Sequence, residues 1–305
     1  MGIAPVRRRQ SAFAAGLATL AMALGFTAIP ADAAPPPDVD YVALGDSYTA
    51  GTGAGVAERP AGVDCWQSSP GYVDVVGRTG RVELVDNAAC HGAVLSVASP
   101  TWDPVIYTPT VQEQIQSLVT SGALSADTEL VSITAGANDL GFAYVLGVCA
   151  FSSEEACRAA VAQATSPQAL AFLTTSLTQT YAAIHQAAPN SRIMVLGYPL
   201  LFEPSSAFAP IPVTNQILMN QATVRVNTAI AAAVSTSNTL YLANAQYVDV
   251  TDEFAGHAVN STDPWLQLSL TDFTADYNFH PTPDGHRAYA SALLSSVKLG
   301  LLVRP

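Results

Sequence analysis

Leu44-Gly45-Asp46-Ser47-Tyr48-Thr49-Ala50-Gly51 follows the short apolar run Tyr41-Val42-Ala43, and together they read as a buried strand that ends on a hydroxyl residue. A small nucleophile just past the carboxyl end of a first strand is where an open α/β sheet puts ligand chemistry. The stretch is not G-x-S-x-G, because Thr49 stands where the last Gly would be, so a nucleophile elbow is not indicated. Working outward, strand-like runs recur at Val39 to Leu44, Val82 to Val85, Leu130 to Thr134, Arg192 to Gly197 and Thr239 to Ala243. Helical patterns separate them. Val111, Ile115, Leu118 and Val119 mark one helix, Leu170 to Ala188 a second, and Val213 to Ser235 a third. In the third, Ile217, Leu218, Val224, Ile230 and Val234 form the expected inner stripe; a last helix follows Pro283 and runs to Leu301. Continuous apolar strands alternating with helices argue a parallel sheet covered on both faces. The expectation is a three-layer α/β/α fold with a five-stranded parallel sheet in flavodoxin-like order.

Three further blocks lie at strand ends or helix starts: Asn87-Ala88-Ala89-Cys90-His91-Gly92-Ala93, Ala135-Gly136-Ala137-Asn138-Asp139, and Asn278-Phe279-His280-Pro281. Singly, each has a plain structural explanation: a tight turn at Gly92, a turn-stabilising Asn138, a surface His before a Pro. In this order they resemble the four blocks of the GDSL, or SGNH, hydrolases, over Tyr41 to about Leu294. The resemblance implies a serine esterase or lipase. Ser47 would be the nucleophile and His280 its base, since a serine hydroxyl is inert near pH 7 unless a neighbouring base takes its proton. The backbone N–H groups of Ser47 and Gly92 and the Asn138 side chain would bind the oxyanion.

The family often orients the catalytic His with an Asp three residues earlier. Here that residue is Tyr277, and Asp276 lies one further back. Two alternatives stay open: a main-chain carbonyl near Tyr277, giving a dyad, or Asp276 through a rearranged turn. Asp46 and Asp139 read as ties between loops, His286 as structural, and His91 as a candidate wall of the site. His257 and Trp265 are candidates for either the cleft wall or the core. Phe142, Tyr144, Val145 and Leu146 are candidates for an acyl groove.

Arg7-Arg8-Arg9, an apolar stretch from Ser11 to Ile29 and Ala31-Asp32-Ala33 fit a cleaved signal peptide over residues 1–33, with a membrane anchor as the competing reading and the export route open. One catalytic domain then spans residues 34–305. Cleavage removes three Arg and one Asp and takes the charge from −12 to −14. So acidic a chain has no electrostatic footprint for nucleic acid. An even count of four Cys in an exported chain favours disulfides. Cys149 and Cys157, eight apart in a loop, suggest a local bridge, which leaves Cys65 with Cys90. Members of the resembled family often carry a third bridge, which in this chain would lie between the segments Pro199 to Pro212 and Gly256 to Trp265. Neither segment has a Cys, and Asn260 sits where one is expected.

The expected protein is a secreted monomeric enzyme without metal or organic cofactor and without stable membrane insertion. It would hydrolyse small-molecule or lipid esters through an acyl-enzyme. A carbohydrate acetylesterase is the enzymatic alternative. A non-catalytic exported binding protein is the other, disfavoured because nucleophile and base are both kept.

Overall fold

A computed structural model describes residues 39–58 and 65–302. Strand β1 (Val39–Gly45) is almost wholly buried. A small antiparallel pair follows, β2 (Val56–Glu58) with β3 (Gln67–Ser69), and then a short helix, α1 (Tyr72–Gly77). Next come β4 (Val82–Asn87), α2 (Val111–Ser121) and β5 (Leu130–Thr134), then α3 (Phe142–Phe151), α4 (Glu154–Ala164) and α5 (Pro167–Ala187). The chain continues through β6 (Arg192–Leu196), α6 (Val213–Tyr241), β7 (Ala245–Val248) and α7 (Pro283–Ser296). The five main strands are parallel, in the order β4-β1-β5-β6-β7. Counted along the chain that is 2-1-3-4-5, the flavodoxin-like order expected, with helices on both faces. The strand order reverses at β1, so the crevice for a ligand opens between the carboxyl ends of β1 and β5.

Local sequence explains most boundaries. Thr110 caps α2 in a reciprocal box with Glu113, and Gly122 ends that helix in the left-handed region. Ser166 and Thr282 cap α5 and α7, each followed by Pro in the first turn. The core is continuous: Leu44, Leu130 and Ile133 of the sheet meet Leu118, Leu173, Leu177 and Ile184 of the helices. Each such side chain contributes about 1.5–3 kcal/mol on full burial.

Four expectations are corrected here. The fifth strand is Ala245–Val248, because Thr239 to Tyr241 continue α6. Thr236 and Thr239 donate their hydroxyls to the carbonyls four residues back, which accommodates these β-branched residues in the helix. The chain then turns through Leu242 and Asn244, both at positive φ, and Asn238 clamps both the N–H and the C=O of Ala245. The inner face of α6 is also shifted. Ile217 and Val224 are exposed, while Asn215, Met219, Val226 and Ile230 are buried, because polar and small residues pack against α5 and the site. Val119 of α2 is likewise exposed. Finally, Cys149 and Cys157 lie not in a loop but in α3 and α4, and their disulfide pins that helical hairpin. Cys65 is bonded to Cys90. No third bridge joins Pro199–Pro212 to Gly256–Trp265. Instead the Asn260 amide accepts from the Glu203 N–H at 2.9 Å and donates to its carbonyl at 2.7 Å. Residues 1–33 lie outside the described residues.

Candidate active site

The carboxyl end of β1 is unusually close to β5. A Cβ on Gly45 would lie 2.2 Å from the Thr134 carbonyl oxygen, and its φ of +132° is one that side chains avoid. Gln114 of α2 reaches in and pairs with Gly45, accepting from its N–H at 2.8 Å and donating to its carbonyl at 3.0 Å. The turn that follows is held by Asp46, whose buried carboxylate accepts from the Tyr48 N–H, the Thr134 hydroxyl at 2.6 Å and the Tyr198 hydroxyl at 2.5 Å. Burial pushes the Asp46 carboxyl up to about 6 even so. Asp46 is thus a tie beneath the turn that presents Ser47.

Ser47 Oγ lies 2.7 Å from His280 Nε2, across 233 positions of sequence. The other ring nitrogen, Nδ1, is 3.0 Å from the main-chain carbonyl of Asn278. A carbonyl only accepts, so Nδ1 carries the proton and Nε2 is free to accept from Ser47. The orienting group is thus a main-chain carbonyl next to Tyr277, as the first alternative has it, but it belongs to Asn278 rather than to Tyr277 itself, and the Asp276 alternative is corrected. The Tyr277 carbonyl accepts instead from the His280 main-chain N–H at 3.1 Å. The Asp276 carboxylate turns toward His91 rather than His280. The segment is fixed from three sides. Phe279 N–H and His280 C=O pair with Gln267, and the Asn278 side chain staples Ser269 to Asp272. Tyr48 donates to the Phe279 carbonyl at 2.5 Å, and Phe279 has a φ of 60°, rare for a bulky residue. Burial, then the neighbouring His91 imidazole, holds the His280 pKa at about 3, against the pull of the Asn278 carbonyl.

Gly92 and Asn138 stand beside Ser47 on the same cavity. Gly92 has a φ of +80°, and the Ser47 and Gly92 amides have no hydrogen-bond partner among the described residues. Asn138 Nδ2 donates one proton to the Ala93 carbonyl at 2.9 Å, which leaves its second N–H available. Asp139 accepts from the Leu95 N–H through both oxygens and so ties the Gly92 segment to the end of β5. His286 is structural: buried, it donates to the Thr52 carbonyl and accepts from the Tyr72 N–H.

A cavity of about 310 Å³ opens from Ser47 and His280, lined on its apolar side by Phe142, Leu146, Phe151, Leu201, Val226 and Phe273. Of the acyl-groove candidates, Phe142 and Leu146 line it. Tyr144 projects outward and Val145 is buried among helices, because the α3 face turned to the cavity carries Phe142, Ala143, Leu146, Gly147 and Ala150. His91 lines the cavity. His257 and Trp265 do not; their rings stack at 3.6 Å away from it. Residue patterning missed Gln114, Asn278 and Tyr198. The Asn278 carbonyl carries no side-chain signal, and Gln114 and Tyr198 reach the site only through the packing of α2 and β6.

The sequence matches the GDSL-like Lipase/Acylhydrolase family over residues 43–288, and the chain belongs to that family and is a carboxylic ester hydrolase. It is 32% identical to Lipase 1 of Streptomyces coelicolor over 88% of this chain and 92% of that one. Among solved structures it resembles an extracellular lipase from Streptomyces rimosus, with a TM-score of 0.69 and 28% identity over 85% of this chain and all of the other. It also resembles phospholipase A1 from Streptomyces albidoflavus, with a TM-score of 0.68 and 28% identity over 84% of this chain and 98% of the other.

Proposed function

We propose that the enzyme cleaves medium-sized acyl esters of the lipid type through an acyl-enzyme on Ser47. The observation that carries this is the unbroken chain Ser47 Oγ–His280–Asn278 carbonyl opening onto an apolar cavity. Ser47 attacks the ester carbonyl and passes its proton to His280 Nε2. The developing oxyanion is met by the Ser47 and Gly92 N–H groups and the free N–H of Asn138. His280 then protonates the leaving alcohol, and later deprotonates the water that releases the acid. The acyl chain lies against Phe142, Leu146 and Phe273. An acetyl group would leave most of that 310 Å³ unfilled, which favours longer acyl chains over acetylated sugars. Relatives called lipase and phospholipase A1 support the same substrate class.

Ser47→Ala and His280→Ala each trim a group without touching the core. Each should lower turnover of p-nitrophenyl octanoate by more than about 10⁴-fold. A folded variant that keeps a few per cent of turnover sinks the assignment. Residues 1–33 are removed on export in this proposal, as the extracellular relative suggests. Intact mass of the protein recovered from culture medium should begin at Ala34, and a retained leader argues for an anchor instead.

A further inference from the structure

The lining of the cavity also carries a donor and an acceptor held apart. His91 Nδ1 is 2.9 Å from the Thr52 hydroxyl, which fixes the ring and leaves Nε2 facing Asp276 Oδ1 at 4.0 Å. That distance is too long for a hydrogen bond. It is the span of two hydrogen bonds meeting at one shared oxygen at roughly a right angle, about 2.8 Å from each side. The Asp276 carboxylate makes no hydrogen bond among the described residues. The Asp276 carboxylate facing Nε2 favours the tautomer with its proton there, so Nδ1 accepts from the Thr52 hydroxyl, His91 Nε2–H is a donor and Asp276 an acceptor. A hydroxyl is the group that accepts from one and donates to the other. The His91 ring is 5.3 Å from the His280 ring and stands against Trp66, and both His91 and Asp276 line the cavity that opens from Ser47.

We infer that His91 and Asp276 form a subsite for a free hydroxyl on the leaving alcohol, and so select esters of polyols over esters of simple alcohols. The inference rests on the Ser47–His280 reading. The leaving oxygen must sit at His280 Nε2 to be protonated, and an alcohol carbon or two beyond it reaches the neighbouring His91. His91 is a specificity-determining residue in this arrangement, and its burial favours the neutral ring that the hydroxyl contact uses. The chemistry is shared by glycerol and sugar esters.

The test compares kcat/KM for 1-octanoylglycerol, 6-O-octanoylglucose and propyl octanoate, which share one acyl chain. The wild-type enzyme should prefer the glycerol ester over the propyl ester by about tenfold or more, since the contact includes a charged acceptor. His91→Phe and Asp276→Ala should each bring that ratio close to one. A change in His280 basicity acts on both esters alike and leaves the ratio untouched, so the ratio reports the subsite alone. Asp276 is half exposed, so its removal is compatible with folding, as circular dichroism will check. The glucose ester names the source: a preference that falls with the same two variants assigns sugars as well, and indifference assigns glycerol alone. A wild-type ratio near one, or a ratio kept by either variant, overturns the inference. If Ser47→Ala is inactive on all three esters while the ratio is near one, the subsite fails and the Ser47 reading stands. Activity of Ser47→Ala overturns both.

Discussion

At the scale of single residues, the site turns on which atom faces His280 Nδ1. A neutral carbonyl fixes the tautomer but stabilises an imidazolium less than a carboxylate does, and burial beside a second imidazole disfavours the charge further. The base therefore stays unprotonated well below the pH 6.5 of a free imidazole. The acid limb of kcat/KM should fall below that value, toward the His280 pKa of about 3, until unfolding intervenes. A pH–rate profile on p-nitrophenyl octanoate checks it. A limb at or above 6.5 would mean that His280 has an anionic partner.

At the scale of elements, Asp46 joins the carboxyl ends of three neighbouring strands. It follows β1, accepts from Thr134 at the end of β5, and accepts from Tyr198 just past β6. Its folded pKa, about 6, lies above the ordinary 3.8, so the folded state binds the extra proton between those values and loses stability as pH rises through that window. Tyr198→Phe removes a donor to the carboxylate and extends the loss to higher pH. The variant should be destabilised by about 1–3 kcal/mol at pH 8 and by less at pH 5. Urea melts at the two pH values measure this; equal losses would mean that the hydroxyl supports packing rather than the charge.

At the scale of the whole molecule, the Cys65–Cys90 bridge closes a loop that carries β3, whose Ser68 N–H donates to the Ala50 carbonyl in the turn after Ser47, and β4, the strand before Gly92. Cys90 also donates its main-chain N–H to the Gly45 carbonyl at 3.1 Å, so bridge and nucleophile turn are directly linked. Closing a loop of this length contributes about 3 kcal/mol. Cys65→Ser with Cys90→Ser should lower Tm by about 6–12 °C, and kcat should fall with it as the Gly92 amide loosens. Calorimetry and turnover on the same sample check both. An unchanged kcat alongside a lowered Tm would confine the bridge to stability.

The strand-and-block pattern of the sequence was enough for the sheet, its order, the Ser47–His280 pair and the oxyanion candidates. Buried strands are continuous apolar runs, and chemistry at strand ends needs particular residue types in sequence order. Thr239 to Ala243 misled because a β-branched run reads as strand, whereas packing against α5 and hydroxyl bonds to the preceding turn keep it helical. The shifted stripe of α6 has the same origin: buried Gln216 accepts from the Ser205 N–H and donates to the Ile211 carbonyl, and buried Asn215 donates to the Cys149 carbonyl, which no periodicity of apolar residues reveals. Tertiary structure alone decided that Asn278 orients His280 and that Asp276 faces His91. A main-chain carbonyl belongs to every residue, so which one meets a ring is set by the turn and by its partners at Gln267, Ser269 and Tyr48. Residue identity specifies what a side chain can do; only the folded backbone specifies what stands within 3 Å of it.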